Sequence, residues 1–320
     1  MALLLLPLLS GGAVAAIVGD LYGATVRVAD RSQPARDQAV VTALGVVLTK
    51  LSGQREASLR MAASQVNAVR WVQRVGYVSG GQLEVGFDTA AIQSLLDQSG
   101  LPVWDRVRPV LLVVYPLALM GVPEVRAATE SIAKERGLPV VWTALETSDQ
   151  YSVTNGVQIQ ALATQYHADS VLLARSSTSI SASASADVAA VATEEWRWQL
   201  VFRGTSQEWK GTLDQGVHTA ADQIGRYYAV SPKQNSRQLI EISGINSVES
   251  YARVIQFFND LLTVREVSIQ ALQADVLRVQ LDLRGTQLSL RRLLSVASML
   301  TEQNTSNADT AGVMSYRYTP

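Results

Sequence analysis

The sequence contains no cysteine and only two histidines, His167 and His218. Disulfide bonds are therefore excluded, and we expect no zinc site, because zinc in proteins draws most of its ligands from these two residue types. Serine-hydrolase chemistry needs a histidine base and an exposed serine on a G-x-S-x-G turn, and that motif is missing. We therefore predict that the protein is not an enzyme and that it binds neither a metal nor a cofactor.

Phosphate-binding loops are also missing from the sequence. There is no G-x-G-x-x-G motif, and Gly211 and Gly216 have the spacing of a phosphate loop without the lysine that should follow. The net charge is −1, from 27 basic and 28 acidic residues, and no basic cluster offers a face for nucleic acid. We expect neither a nucleotide nor a nucleic acid as a ligand.

Charge is absent from the amino terminus until Asp20. Residues 2–9 are almost entirely apolar, a Ser-Gly-Gly break follows, and residues 13–15 have the A-x-A pattern of a signal-peptidase site, although no basic residue follows Met1. We interpret residues 1–18 as a signal peptide, with a retained inner-membrane anchor as the alternative. Either interpretation predicts an exported, periplasmic protein that contacts the membrane only if this segment is retained.

Hydrophobic periodicity divides the remaining chain into three units of the α/β (α+β) class. The first and last units each have the order strand, helix, hairpin, helix, and the middle unit has strands alternating with helices, which favours a small parallel or mixed sheet. The predicted divisions are an N-terminal lobe at 20–100, a connector at 101–109, a central domain at 110–230 with a Ser/Ala-rich loop at 176–190, a C-terminal lobe at 237–300 and a disordered tail at 301–320.

Two further patterns support this division. The stretches LEVGFDTAAIQSLLD (83–97) and LRVQLDLRGTQLSLRRLL (277–294) both run from an alternating strand through an aspartate into an amphipathic helix, which leaves a duplication of the outer lobes open. Trp196, Trp198 and Trp209 alternate along a predicted hairpin. Alternation puts them on one face, so we favour a place in the core over an exposed binding strip.

The connector contains the segment GLPVWDRVRPVLLVV (100–114). Its two prolines favour an extended and stiff backbone, because each restricts the residue before it. We expect Trp104 to fill the joint between the first two units, with Asp105 pairing there with Arg106 or Arg108. No base or nucleophile accompanies these residues, so we interpret the segment as a fixed joint rather than as an active loop.

Two blocks of sequence resemble a known family. LYGATVRVADRSQPARDQAVVTALGVVLTKLSG (21–53) and LEVGFDTAAIQSLLDQSGLPVWDRVRPVLLVV (83–114) resemble domain of unknown function 2066, an exported family of Gram-negative bacteria. The shared pattern is a strand, V-A-D, a helix that ends in L-x-K-L-S-G, then F-D-x-x-x-I and G-L-P-V-W. The resemblance implies a periplasmic protein, and it carries over no catalytic or binding residues.

These observations lead to one functional hypothesis and one alternative. The hypothesis is a non-catalytic periplasmic adaptor that works through protein–protein contacts with partners in the cell envelope, with Trp104, Asp105, Arg106 and Arg108 at its joint. The alternative is a protein that binds a small molecule or glycan in the central domain. Ligands of such sheets bind at the carboxyl ends of the strands, where Tyr115, Thr143 and Arg175 are expected.

Overall fold

A computed structural model of the chain describes residues 16–65, 67–119, 122–146, 156–176, 195–231, 233–303 and 312–319. Within these ranges α-helices pack on mixed and antiparallel β-sheets, which confirms the α+β class. The three predicted units are each built around a sheet of their own.

The first unit has a three-stranded antiparallel sheet in the order β2-β4-β3. Local caps hold its helices: Ser32 accepts a bond from the Ala35 N–H, Gly53 ends the first helix at φ 70°, and Asp88 accepts from the Ala91 N–H. The elements up to this point are β1 (Ala16–Ile17), β2 (Gly23–Arg27), α1 (Gln33–Ser52), α2 (Arg55–Ala63), β3 (Val72–Val78), β4 (Gln82–Phe87) and α3 (Thr89–Ser99).

The amino-terminal prediction needs one correction. Ala16 and Ile17, which fall within the predicted segment 1–18, pair with Arg108 and Val107 of the connector, so they are part of the fold. The backbone N–H and C=O groups of β1 pair with those of the connector. In a helix these groups would instead bond within the segment itself. The remaining residues of that segment, 1–15, lie outside the described residues. No helix in the described ranges combines the length and apolar character needed to cross a membrane.

The central unit has a five-stranded sheet in the order β10-β9-β8-β6-β7, in which β6, β7 and β8 are parallel and β9 and β10 are antiparallel additions. One face packs on α4 and α6 and the other on α5. The elements are β5 (Val107–Arg108), β6 (Leu111–Pro116), α4 (Pro123–Arg136), β7 (Val140–Leu145), α5 (Gly156–Gln165), β8 (Ser170–Ser176), β9 (Trp196–Phe202), β10 (Thr205–Gly211) and α6 (Leu213–Tyr228).

The tryptophan prediction is confirmed for two of the three residues. Trp196 and Trp198 are fully buried in the core, whereas Trp209 is only partly buried. The Trp198 indole packs directly over α6, because a Cβ added at Gly216 would lie 2.0 Å from its ring. Of the Ser/Ala-rich loop predicted at 176–190, only Ser176, the last residue of β8, lies in the described residues.

The third unit repeats the strand order of the first and then extends it. Its first three strands adopt the order β12-β13-β11, as the first unit adopts β3-β4-β2, and β15 and β14 add beyond β11. The elements are β11 (Asn235–Ser243), α7 (Val248–Asp260), β12 (Val264–Gln273), β13 (Val276–Arg284), α8 (Gln287–Leu294), β14 (Leu300–Glu302) and β15 (Val313–Tyr318).

The prediction of a disordered tail at 301–320 is wrong at its start, where Thr301 and Glu302 belong to β14, and at its end. Residues 313–318 form β15, which lies parallel to β11 and antiparallel to β14 in the interior of the sheet. Met314 and Tyr316 are 2% exposed, because alternation along the strand turns them into the core. Residues 304–311 and 320 lie outside the described residues.

The apolar cores do not follow the three predicted units. The first unit has a core of its own, but the α4 and α6 face of the central sheet and the interior of the third unit form one continuous apolar cluster. Phe202 of β9 packs against Tyr227 and Tyr228 at the end of α6, and Arg292 of α8 lies 4.5 Å from the Tyr227 ring. The second and third units therefore share a core, and they are not separate lobes.

The strand β15 provides the first test. We expect Tyr316→Ala to lower the free energy of unfolding by about 3 kcal/mol, because a large buried ring leaves a cavity in the sheet core. Arg317→Ala, on the exposed side of the same strand, is the matched control and should change it by less than about 0.5 kcal/mol. Urea unfolding measures the free energy of unfolding of both variants. Equal midpoints for the two variants would contradict the burial of β15 and favour the disordered tail.

Candidate functional site

Trp104 lies at the point where the units meet, as the sequence predicts. It has no exposed surface, and its backbone N–H donates to the Leu51 carbonyl of α1 at 2.6 Å. Its neighbour Val103 exchanges both backbone hydrogen bonds with Val230, just beyond α6, at 2.8 Å. The connector thus runs between the end of α1 and the end of α6, and it is bonded to both.

Arg108 is the centre of this joint. Its guanidinium stacks over the Trp104 ring at 4.1 Å and is fully buried. Nη2 donates to the Lys50 carbonyl at 2.6 Å, and Nη1 donates to the carbonyls of Arg136 and Gly137 at 3.0 and 2.9 Å. Because these carbonyls belong to the carboxyl ends of α1 and α4, one cation caps two helices at the negative ends of their dipoles.

The charge of Arg108 is compensated by carbonyl groups rather than by a bonded carboxylate. Nε donates to the backbone carbonyl of Asp105 at 2.8 Å and not to its side chain. Burial lowers the pKa of Arg108 to about 9, and the nearby Asp105 works against this shift. The guanidinium is therefore still protonated at neutral pH and can donate all of these hydrogen bonds.

The predicted pairing of Asp105 with Arg106 or Arg108 is wrong. The buried Asp105 carboxylate turns toward the third unit, where Oδ2 accepts from the Thr263 N–H at 2.9 Å and from its hydroxyl at 2.8 Å. Arg106 lies 3.9 Å from Asp260 instead. Burial raises the pKa of Asp105, although the bonds from Thr263 oppose the shift. The other carboxylate oxygen, Oδ1, accepts from the Arg106 backbone N–H at 2.7 Å, so neutral donors satisfy the carboxylate. The connector therefore joins all three units.

A second buried arginine continues the joint. Arg136, at the end of α4, is fully buried and donates through Nη2 to the Gly53 carbonyl at 3.0 Å and to Asp222 of α6. Gly53 itself meets Gly225 of α6 so closely that a Cβ added at either would lie 2.9 Å from the other's Cα. The Asp222 carboxylate also accepts from the Arg55 N–H at 3.4 Å.

His218 borders this group of charges. It lies in α6 and is only partly exposed. Burial lowers the pKa of His218 to about 4, and the positive charges of Arg55 and Arg136 add to the shift. The imidazole is therefore neutral at physiological pH.

The three residues of the alternative ligand crevice do not share one face of the sheet. The Tyr115 side chain lies on the α4 and α6 side, where its hydroxyl bonds Thr129 at 2.7 Å. Thr143 lies on the α5 side and bonds the Tyr166 hydroxyl at 2.8 Å. Arg175 lies on the same side as Thr143, because it is two positions after Leu173 of the α5 core and residues two apart on a strand share a face. In the register of the sheet, Thr143 lies opposite Val114 and not opposite Tyr115. Tyr115 therefore faces one side of the sheet, and Thr143 and Arg175 face the other.

A small cavity does lie on the Tyr115 side, between β7 and the start of α4. It has a volume of about 220 Å³ and is largely apolar. Trp142 forms one wall, and the Arg126 guanidinium lies over that ring at 4.7 Å while its Nε bonds Glu130 at 2.7 Å. The cavity is smaller than the range of about 300–1,000 Å³ typical of small-molecule sites, so it has room for one side chain or a fragment.

No three histidine, aspartate or glutamate side chains of the described ranges are grouped as metal ligands would be. The prediction that the protein binds no metal and no cofactor stays a prediction.

Comparison with known proteins concerns the first unit alone. Residues 15–105 match a family described as a domain of unknown function, DUF8605. The match covers less than a third of the chain and ends at Asp105 in the connector. No curated protein and no solved structure matches the chain.

This match overturns the resemblance to domain of unknown function 2066. The motifs behind that resemblance mark helix ends: in L-x-K-L-S-G the glycine is the left-handed cap Gly53, and in F-D-x-x-x-I the aspartate is the N-cap Asp88. Such caps recur wherever a helix starts or stops, so they are weak markers of descent. The periplasmic location implied by the resemblance therefore loses that support, and only the amino-terminal pattern remains.

Sequence reasoning missed Arg136, Asp222 and Trp142. The pattern E-R-G at 135–137 marks the end of a helix, but an arginine in a last turn is usually exposed, and nothing local indicates that Arg136 is buried. Asp222 is equally ordinary in sequence. Trp142 carried a usable signal. It lies opposite Val113 in the neighbouring strand, and Tyr115 is two positions beyond Val113, so alternation puts all three side chains on one face.

Removal of the central indole tests the joint. We expect Trp104→Ala to destabilise the protein by about 3–5 kcal/mol and to expose the connector to limited proteolysis, because the ring fills the space between α1 and α6. Trp142→Ala, at a partly buried edge position, is the control and should leave the digestion pattern unchanged. A Trp104→Ala protein that unfolds and digests like the wild type would contradict the assignment.

His218 gives the joint a defined pH dependence. The unfolded chain takes up a proton at His218 below about pH 6.5, but the folded chain does so only near pH 4, so acid favours unfolding in that window. We expect His218→Gln to flatten the loss of stability between these pH values, measured by urea unfolding. His167→Asn, at the exposed histidine with φ 51°, is the control and should keep the wild-type slope. A slope unaffected by His218→Gln would exclude this source.

Proposed function

We propose that the chain is a non-catalytic adaptor of the cell envelope that acts by protein–protein contacts. The observation that carries the proposal is the joint: Arg108, Trp104 and Asp105 tie the three units together through buried hydrogen bonds. Domains of one chain usually move relative to each other unless their interface is well buried. A chain built in this way presents its outer surfaces at fixed distances from one another, which suits a protein that holds its partners at fixed relative positions.

The polar groups of the joint favour a structural role over a chemical one. Arg108 donates to main-chain carbonyls, and Asp105 accepts from Thr263, so the hydrogen-bonding capacity of both is used within the protein. A catalytic group needs to reach a substrate from a cleft. These groups lie instead between packed elements.

The proposed location rests on the amino-terminal pattern. The apolar residues 2–9 and the A-x-A pattern at 13–15 support export to the periplasm, with the segment removed or kept as an anchor in the inner membrane. The pairing of Ala16 and Ile17 with the connector is compatible with a mature chain that starts after Ala15.

The cavity beside Trp142 favours a second candidate function, the binding of a small ligand. An indole wall, a tyrosine and a guanidinium within one apolar cavity would accept a planar group with a partial negative charge. The volume of the cavity limits the bound group to a fragment of a larger molecule. This candidate replaces the crevice of Tyr115, Thr143 and Arg175, which the two faces of the sheet separate.

Partner capture tests the adaptor. The tagged full chain, crosslinked in intact envelopes of its native host and purified, should recover the same protein partner in independent preparations. Trp104→Ala, produced at equal level, should recover less of it, because the surfaces no longer keep their spacing. Failure to find a reproducible partner would contradict the proposal. A thermal-shift screen separates the second candidate: a saturable shift that Trp142→Ala abolishes would favour ligand binding.

A further inference from the structure

The outer edge of β2 carries unused hydrogen-bonding groups. β2 is an edge strand, and Tyr22 and Val28 on either side of it bond β4 through the Phe87 N–H and the Gly81 carbonyl, at 2.9 and 3.0 Å. Antiparallel strands alternate between residues that face the partner and residues that face away. Residues 23, 25 and 27 therefore direct their N–H and C=O groups away from the sheet.

The contacts of these outward groups agree with this alternation. The Gly23 carbonyl accepts a hydrogen bond from Nζ of Lys50 at 2.7 Å, which confirms its outward direction. Within the described ranges, the N–H and C=O groups of Thr25 and Arg27 have no hydrogen-bond partner. An edge of this kind is a template on which another strand can pair.

A groove runs along this edge. Residues 24–27 of β2 form one wall, α1 forms the floor with Val46 and Lys50, and α4 forms the opposite wall with Lys134. Gln82 of β4, the cross-strand partner of Arg27, also contributes to the lining. Successive residues of a strand face opposite sides of a sheet, so a cavity lined by four in a row borders the strand edge. The groove has a volume of about 330 Å³.

The charges that line the groove are mostly positive. Arg27 and Lys134 are exposed and form no ion pair within the described ranges, and Lys50 on the floor donates only to the carbonyls of Asp20 and Gly23. The acidic residue of the wall, Glu135, lies 3.9 Å from Arg55 outside the groove. Charged side chains on a strand edge, lysine above all, often serve only to discourage pairing. Lys134 lies on α4 and not on the strand, so that role does not account for its place on the opposite wall.

We propose that this groove binds an acidic segment of a partner protein in an extended conformation, which adds to the first sheet as a strand beyond β2. The proposal rests on the adaptor function and names the chemistry of one partner. The main chain of the segment pairs with Thr25 and Arg27. Its side chains alternate, so that one set lies over Val46 and Lys50 and the other set faces Arg27.

A labelled peptide of sequence Glu-Val-Glu-Val-Glu-Val-Glu is the probe, and its binding to the full chain is followed by fluorescence anisotropy. Three comparison ligands separate the sources of binding: the same peptide with alternate amides N-methylated, the lysine counterpart, and single-stranded DNA. We expect the acidic peptide to bind, the N-methylated form to bind about tenfold more weakly, and the lysine peptide not to bind. Equal binding of the N-methylated peptide, or of DNA, would overturn strand addition and leave only a general attraction for anions.

Variants of the edge identify the site. Thr25→Pro removes an outward N–H and no bond within the sheet, so it should weaken peptide binding about tenfold, whereas Thr25→Val keeps the N–H and should bind as the wild type does. Lys134→Glu should also weaken binding and reduce its salt dependence, and Lys233→Glu, an exposed lysine outside the groove, is the charge control. Unchanged affinity in both Thr25→Pro and Lys134→Glu would exclude the groove. If Thr25→Pro does not fold, the N-methylated peptide tests main-chain pairing in its place.

The envelope capture experiment distinguishes this proposal from the adaptor function. A partner recovered equally by the wild type and by Lys134→Glu would refute the groove and leave the adaptor intact. A peptide that binds at the groove, with no partner recovered from envelopes, would refute the adaptor and leave the groove.

Discussion

The carboxyl end of helix α1 is buried under the central unit, so its last carbonyls need donors from inside the protein. The Gly53 N–H supplies one to Thr49, the Trp104 N–H supplies one to Leu51, and Arg108 supplies one to Lys50. A helix end that is exposed uses water for this purpose. Here the donors come from the connector, so the helix end and the connector can be buried only together.

The same arginine sets the position of α4. Arg108 binds the carbonyls of Arg136 and Gly137 with one nitrogen and that of Lys50 with the other, which fixes the distance between α4 and α1. Those helices are the opposite wall and the floor of the groove beside β2. The width available to a bound strand therefore depends on a residue that never reaches the groove. Burial of a charge costs several kcal/mol, and bonds to charged donors return about 1.5–3 kcal/mol each, so the joint needs all of its carbonyls.

Local signals in the sequence predicted what depends on local structure. Alternation is a property of one strand, so it predicted the burial of Trp196 and Trp198. Helix capping is equally local, because Ser32, Gly53 and Asp88 each act within a few residues. Long-range pairing carries no such signal. β15 enters the sheet beside β11, more than 70 positions earlier in the chain, and the short polar run before it resembles a tail. The partners of Asp105 and Arg108 were missed for the same reason, since charge complementarity in sequence favours carboxylate pairs and the fold supplies carbonyls and Thr263 instead.

The contact of Gly53 with Gly225 has an implication for how this protein can change over time. Elsewhere in a core, a larger side chain at one position can be accommodated by a smaller one opposite. Here both partners are already the smallest residue, and a Cβ on either would lie 2.9 Å from the other's Cα. No substitution at one position can compensate for a substitution at the other. Neither glycine where the end of α1 meets α6 can therefore be replaced by a larger residue unless the two backbones move apart.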